Sequence, residues 1–232
     1  MVFHVKQFTS IDDLPIEQQQ LLDSHLELVL EENTISNLTR IIDKDQGKLL
    51  HIEDSLVALP EFMAAPAGPY IDLGTGGGFP GIPIAITTGR NTLLVDSVGK
   101  KTKALDRIIT KLNLSDQVAT YTGRAEELAL EQPASAAVIS ARALSSLPSL
   151  LELAAPLLQM GGVLIAYKGQ PESEEITHAQ ELEEKLGMKL ISQRPITLSD
   201  GDTQRTILVF EKVGEPTVKL PRRPGMAQKK PY

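Results

Sequence analysis

From residue 70 onward, the chain alternates short β-prone runs with helical stretches. The β-prone runs cover residues 70–73, 92–96, 118–121, 137–140, 163–167, 188–193 and 206–211. Strands that alternate with helices are typical of βαβ units, which pair their strands in parallel. The last two runs leave no room for a crossover helix between them, so we expect them to pair antiparallel. The pattern predicts an α/β fold with a mostly parallel, seven-stranded sheet and an antiparallel last strand.

The segment before this region has a helical pattern and is acidic. Apolar residues over about 16–32 recur with the spacing of one face of an amphipathic helix, and a second helix is expected near 48–59. Residues 1–66 hold twelve acidic and four basic side chains. We therefore expect residues 1–65 to form a helical cap on a Rossmann-like core over 66–213.

The last nineteen residues differ in composition from both the cap and the core, because they are basic and rich in proline. Residues 214–232 contain five basic side chains, one acidic side chain and four prolines. Proline cannot donate a backbone hydrogen bond, so this basic tail is expected to run as an extended arm. Cap, core and tail together are predicted to make a single structural domain.

Composition removes several classes of chemistry. The chain has no cysteine, which excludes disulfides, thiolate metal sites and a cysteine nucleophile. No stretch of eighteen apolar residues occurs, and the first thirty residues lack a signal-peptide pattern. We expect a cytoplasmic protein that binds no metal, does not cross a membrane and does not require an oligomer.

A glycine-rich loop follows the first β-prone run, in the segment YIDLGTGGGFPG. Glycines 74, 76 and 78 carry no Cβ, so the backbone can approach a ligand closely. The dinucleotide fingerprint G-x-G-x-x-G would need glycine at position 79, where the chain has Phe79, and no G-K-S/T phosphate loop is present. The loop therefore indicates a cofactor that lacks phosphates.

Two aspartates accompany the loop. Asp96 ends the second β-prone run, where an open α/β sheet presents an acid to ribose hydroxyls. Asp72 lies beside the loop and could orient it or meet a cationic group of the ligand. Together with the loop they suit S-adenosylmethionine, although a tight turn flanked by two capping aspartates is the alternative.

Several segments in order resemble one known family. They are IDLGTGGGFPGIPIAI, LLVDSVGKKTKALDRIITKLNL, ISARALSSLPSLLELAAPLLQMGGVLIAYKG, QRTILVFEKV and KLPRRPG, with NLT and HIEDSL in the cap. This chain is similar in them to the bacterial 16S ribosomal-RNA guanine-N7 methyltransferases, also called glucose-inhibited division protein B. The resemblance implies the class I S-adenosylmethionine-dependent methyltransferase fold.

The resemblance also implies roles for individual residues. The cofactor would be held by Asp72, Gly74, Gly76, Gly78, Phe79, Asp96, Ala125, Glu126 and Arg142, with Asp96 on the ribose and residues 125 and 126 on the adenine side. Arg142 follows the apolar run AAVIS, where a strand end would hold it at the mouth of the site as a catalytic residue. The family often has Trp where this chain has Glu32, and His where it has Thr206.

The implied reaction is methylation of one guanine N7 in a loop of 16S ribosomal RNA. N7 carries a lone pair and no proton, so in-line methyl transfer needs no general base. His51 is interpreted as a packing or hydrogen-bonding residue of the cap, since nothing in the sequence places it beside the glycine loop. RNA would be bound by Lys100, Lys101, Lys168, Arg205, Arg222 and Arg223. The RNA partner could be free 16S rRNA, an assembly intermediate or the 30S subunit. A non-catalytic RNA-binding assembly factor and a nicotinamide-dependent oxidoreductase are the alternatives.

Overall fold

The computed structural model describes residues 10–232, so the first nine residues of the predicted cap lie outside the described residues. Its centre is a seven-stranded sheet in the order β3-β2-β1-β4-β5-β7-β6. The strands are β1 (Tyr70–Leu73), β2 (Thr92–Asp96), β3 (Val118–Thr122), β4 (Ala136–Arg142), β5 (Leu158–Lys168), β6 (Met188–Thr197) and β7 (Gln204–Lys212). β1 to β5 are parallel, and β7 is antiparallel to both β5 and β6. This confirms the predicted fold class.

Two strands extend well beyond the predicted runs. β5 begins at Leu158, five residues before the predicted start, and passes through a register shift opposite residues 136–138 of β4. β6 continues to Thr197 and includes Pro195. Proline is tolerated there because β6 is an edge strand and does not need every backbone N–H in the ladder.

Helices cover both faces of the sheet. They are α1 (Ile16–Ser36), α2 (Lys44–Gly47), α3 (Asp54–Leu56), α4 (Leu59–Ala64), α5 (Gly81–Thr88), α6 (Gly99–Lys111), α7 (Ala125–Glu131), α8 (Leu147–Ala154), α9 (Ser173–Glu181), α10 (Glu183–Leu186) and α11 (Met226–Lys229), with a π-helical segment at Lys48–Glu53. One apolar core contains residues of α1, α5 and α6, and a second contains residues of α7, α8 and α9. The sheet separates the two cores.

The N-terminal helices are part of the first core. Leu22, Leu26 and Val29 form the buried stripe of α1 and belong to the same apolar cluster as α5 and α6. α1 runs four residues further than the predicted helix, to Ser36, and is capped by Asn37, which has a left-handed backbone. The helical cap is therefore joined to the sheet by a continuous core.

The C-terminal tail folds back on α8 and contains the short helix α11, so it does not run throughout as the extended arm predicted from the sequence. Ala227 is buried, and its carbonyl accepts a hydrogen bond of 2.7 Å from the Ser149 hydroxyl on α8. Arg222 makes a two-pronged ion pair with the buried carboxylate of Glu152. Side chains of α8 thus supply the partners that the proline-rich backbone cannot supply for itself.

No helix within residues 10–232 is long and apolar enough to span a bilayer. Over the same residues, no group of three histidine, aspartate or glutamate side chains is placed to bind a metal ion.

Candidate functional site

The site lies where the strand order changes direction, between β1 and β4. Open α/β sheets bind ligands in the crevice at this switch point, beyond the carboxyl ends of the strands. The glycine loop after β1 is fixed there by its backbone, since Gly74 N–H donates to the Val95 carbonyl at 2.8 Å. Gly74 and Gly76 have φ of +71° and +59°, a conformation that favours glycine.

Asp72 supports the loop from below. Its carboxylate accepts the Gly81 N–H at 3.0 Å and the Ser140 hydroxyl, and the residue is fully buried. Burial raises the pKa of Asp72 to about 6, against the effect of these hydrogen bonds. Of its two expected roles, the placement favours orienting the loop, because a fully buried carboxylate is not available to a ligand.

A first cavity of about 290 Å³ opens beside the loop. Four of the residues expected to hold a cofactor line it, namely Gly74, Asp96, Ala125 and Glu126. Asp96 accepts the Gly76 N–H at 3.1 Å and the Val98 N–H at 2.9 Å, one on each oxygen. A carboxylate offers about four acceptor positions, so two remain for a pair of hydroxyl groups. The donors and acceptors here fit an adenosine with its ribose on Asp96.

Gly78 and Phe79 face the helical cap instead. A Cβ at Gly78 would lie 2.8 Å from Ile82 Cδ1 of α5 and 3.1 Å from His25 Nε2 of the cap helix α1. The Phe79 ring is buried, 4.4 Å from the His25 ring and stacked on the His51 ring at 4.4 Å and 7°. Neither residue lines the first cavity, so their placement supports packing of the loop and not direct contact with a cofactor.

A second cavity, of about 470 Å³, adjoins the first. Its walls include Arg142, Tyr167 and Arg205 from the strand ends and His51 from the cap. Ala143, which follows Arg142 and has φ of +53°, lines both cavities. The two cavities therefore meet at one residue beyond the end of β4.

One carboxylate organises the charges of the second cavity. Asp54 is 2% exposed and accepts hydrogen bonds from Arg142 Nη1 at 2.9 Å and from Arg205 Nε at 2.7 Å. Two guanidinium groups on one carboxylate leave a net positive charge. Within residues 10–232 the hydrogen bonds of Arg142 use Nη1 alone, so Nε and Nη2 can donate to a ligand. Arg142 also lies 5.9 Å from the centroid of the Phe79 ring.

Sequence reasoning missed the positions of the histidines. His51 stacks on Phe79 of the glycine loop and shares a hydrogen bond of 2.8 Å with Thr39, which is the packing and hydrogen-bonding role expected of it, and the structure places it beside the loop. Burial and the nearby charge of Arg142 lower the pKa of His51 to about 4, so it is neutral at pH 7. His25 donates to the Gly77 carbonyl at 3.1 Å. The HIEDSL segment, which contains His51 and Asp54, was the available signal.

Most of the expected RNA-binding cations have acidic partners. Lys168 pairs with Glu175 at 2.7 Å, Lys101 lies 3.9 Å from Asp96, and Arg205 and Arg222 are paired as described above. Lys100 and Arg223 are exposed and make no ion pair with the described part of the chain. The structure thus leaves two of the six cations unpaired at the surface.

In the sequence, the outer face of α6 carries a cluster of basic side chains of the kind that favours a nucleic acid. Arg107 instead donates through two nitrogens to Glu32, and Lys111 lies 3.4 Å from Glu31. Both acids belong to α1. These contacts join α6 to the cap and place Glu32 in an ion pair.

Comparisons with known proteins agree on one family. A family model described as GidB, rRNA small subunit methyltransferase G, matches residues 18–201. The ribosomal RNA small subunit methyltransferase G of Alkaliphilus metalliredigens is 37% identical over 224 residues, which cover 95% of this chain and 92% of that protein. The protein of the same name from Carboxydothermus hydrogenoformans is 34% identical and covers 98% of each chain.

Solved structures share the fold. An O-methyltransferase from Bacillus cereus in complex with SAH superposes with a TM-score of 0.57 at 22% identity, covering 82% of this chain and 91% of that one. The antibiotic-resistance methyltransferase Kmr superposes with a TM-score of 0.52 at 18% identity, covering 67% and 92%. These likenesses confirm the predicted Rossmann-like fold of class I methyltransferases.

Proposed function

Because the chain belongs to the rRNA small subunit methyltransferase G family, we propose that it methylates N7 of a guanine in a loop of 16S ribosomal RNA, using S-adenosylmethionine. The observation that carries this proposal is the meeting of two cavities at Ala143. One cavity presents glycine backbone and a carboxylate, and the other presents arginines. A methyl donor in the first and a nucleobase in the second would be adjacent.

The first cavity is the proposed cofactor site. When bound, S-adenosylmethionine supplies a methyl group on a positively charged sulfur. Asp96 would accept hydrogen bonds from the ribose hydroxyls, and the backbone at Gly74 would border the ligand closely because no Cβ intervenes. Gly76 does not line this cavity, and its N–H would hold the Asp96 carboxylate in place. Ala125 would contact the adenine side. Asp72 and Phe79 would act on the loop and not on the cofactor itself.

The second cavity is the proposed guanine site. Arg142 Nε and Nη2 would donate to the guanine O6 or to a phosphate and so orient the base. Because N7 carries a lone pair and no proton, no proton needs to be removed before methyl transfer. His51 is neutral and is engaged in a hydrogen bond with Thr39. Holding the acceptor in line with the methyl group contributes up to about 7–11 kcal/mol in favourable systems.

RNA would approach the edge of the sheet that holds both cavities. The net positive charge of the cluster formed by Arg142, Arg205 and Asp54 favours a polyanion there. Lys100 and Arg223 would contact phosphates without paying for the loss of an internal ion pair. Since the major groove of A-form RNA is too narrow for side chains, the target guanine would lie in an accessible loop. Because the proposed target is 16S ribosomal RNA, the protein would work in the bacterial cytoplasm.

The test is mass mapping of modified nucleotides in 16S rRNA from cells with and without the gene. N7-methylguanosine should appear at one position only when the gene is present. In vitro, labelled methyl transfer to free 16S rRNA, to assembly intermediates and to 30S subunits identifies the preferred form of the substrate.

Two variants sharpen this test. Arg142→Ala should retain the fold and lose methyl transfer, whereas Lys189→Ala should retain it, because Lys189 is exposed near the opposite end of the sheet. Binding of S-adenosylhomocysteine with no methylation of any RNA would indicate a non-catalytic assembly factor. Binding of NAD in its place would indicate an oxidoreductase.

A further inference from the structure

The C-terminal tail reaches the wall of the first cavity. Gln228, on α11, lines this cavity together with Asp96 and with Ala125 and Glu126 at the start of α7. About a hundred residues of chain separate α7 from α11. The cavity is therefore lined by the loops after β1 and β2 and, in addition, by a segment of the C-terminal tail.

Glu126 holds the tail in place. Its Oε1 accepts the backbone N–H of Gly225 at 2.6 Å, and the residue is only 6% exposed. Two hydrogen bonds fix the tail on either side of this point: Ser149 donates to the Ala227 carbonyl, and Arg222 donates to the Glu152 carboxylate. Glu126 therefore serves to position the tail beside the cavity.

The side-chain amide of Gln228 has donors that are free for a contact with adenine. Arg124 Nη1 lies 3.1 Å from Gln228 Oε1, and a guanidinium can only donate, so the oxygen of the amide must face Arg124. The amide nitrogen is left with two N–H donors, and within residues 10–232 it makes no hydrogen bond. The ring nitrogens of adenine are acceptors that such a donor can bind.

We propose that residues 225–228 form the adenine-side wall of the cofactor pocket and that Gln228 Nε2 donates a hydrogen bond to the adenine ring. This inference rests on the proposed function, because it takes the first cavity as the site of S-adenosylmethionine. It gives the tail a role in cofactor recognition in addition to any contact of Arg223 with RNA.

The test measures binding of S-adenosylhomocysteine to the full chain by calorimetry. Gln228→Ala should weaken binding roughly 3- to 10-fold, the effect of losing one neutral hydrogen bond. Gln228→Glu should weaken it at least as much, because a carboxylate still pairs with Arg124 but cannot donate. Lys229→Ala, one residue further along the exposed part of the tail, is the matched control and should bind as the wild type does.

The outcomes separate this inference from the proposed function. Wild-type affinity in either Gln228 variant overturns the donor role, and Gln228→Glu binding normally while Gln228→Ala binds weakly would assign Gln228 to holding Arg124 alone. Failure of the wild type to bind S-adenosylhomocysteine overturns the proposed function itself. Hydrogen–deuterium exchange gives an independent readout: backbone amides of residues 225–228 should exchange more slowly when the ligand is present, and an unchanged rate would refute the wall.

Discussion

Replacing Asp54 by alanine would remove the one carboxylate that Arg142 and Arg205 share. Asp54 is 2% exposed and lies on α3 of the cap, whereas the arginines come from the ends of β4 and β7. The substitution leaves two cations facing each other without a counter-ion. We expect a loss of stability together with a loss of the geometry of the second cavity.

The size of the effect follows from the burial of the three groups. Removing one partner of a buried ion pair costs about 3–5 kcal/mol. The side chains of Arg142 and Arg205 are 14% and 23% exposed and border a cavity that water can enter, so part of their hydration is recovered. We therefore expect Asp54→Ala to lower the free energy of unfolding by about 2–4 kcal/mol. Asp54→Asn keeps the shape and one acceptor and should cost about half as much.

Urea denaturation followed by circular dichroism measures this change, since the chain has no tryptophan for fluorescence. The urea concentration at the midpoint of unfolding should fall, while the slope of the free energy of unfolding against urea concentration stays constant. A double-mutant cycle with Arg205→Ala should give a coupling free energy above about 1 kcal/mol. Methyl transfer should also fall in Asp54→Asn, because Arg142 loses its anchor. A change below about 0.5 kcal/mol in Asp54→Ala, or no coupling to Arg205, would refute the reasoning.

Three further predictions concern the loop, the basic surface and pH. Gly76→Asp should weaken S-adenosylhomocysteine binding at least tenfold by calorimetry, because the new carboxylate lies next to Asp96 while its Cβ meets nothing closer than 3.9 Å; normal affinity would contradict the loop assignment. Arg107→Ala should leave the salt dependence of RNA binding unchanged, because the Arg107 charge is paired with Glu32 on α1. Arg223→Ala should reduce the slope of log K for RNA binding against log salt concentration by about 0.7. Between about pH 4 and 6.5 the unfolded chain protonates His51 more readily than the folded protein does, so stability falls as pH drops through this window. His51→Gln should remove up to about 1.4 kcal/mol per pH unit of that slope in denaturation experiments, and an unchanged slope would show that another group causes it.

The strands and the glycine loop could be predicted because their signals are local. An apolar run followed by GTGGG identifies β1 and its loop without reference to any distant residue. The ends of β5 and β6 could not be predicted in the same way, since a strand continues wherever a neighbouring strand offers hydrogen bonds. Asp96 lines the first cavity and Arg142 lines the second. Their roles, in binding the ribose and in catalysis, remain predictions.

The partners of charged residues, in contrast, could not be predicted from local signals. In the sequence, the basic residues of α6 and of the tail form clusters that favour a nucleic acid. In the folded protein, Arg107 binds Glu32 and Arg222 binds Glu152, each more than sixty residues away along the chain. Whether a cation faces RNA or an internal carboxylate depends on which distant acid the fold brings within about 4 Å, and periodicity along the chain carries no such information.

The sequence by itself determined the order of strands and helices, the bare backbone of the loop after β1 and the absence of cysteine chemistry, because these properties depend on each residue and its near neighbours. Only the tertiary structure decided that His51 stacks on Phe79, that one carboxylate organises two arginines and that Gln228 reaches the first cavity. Those arrangements join segments far apart in the chain, and they form only when the apolar faces of cap, sheet and tail are buried together.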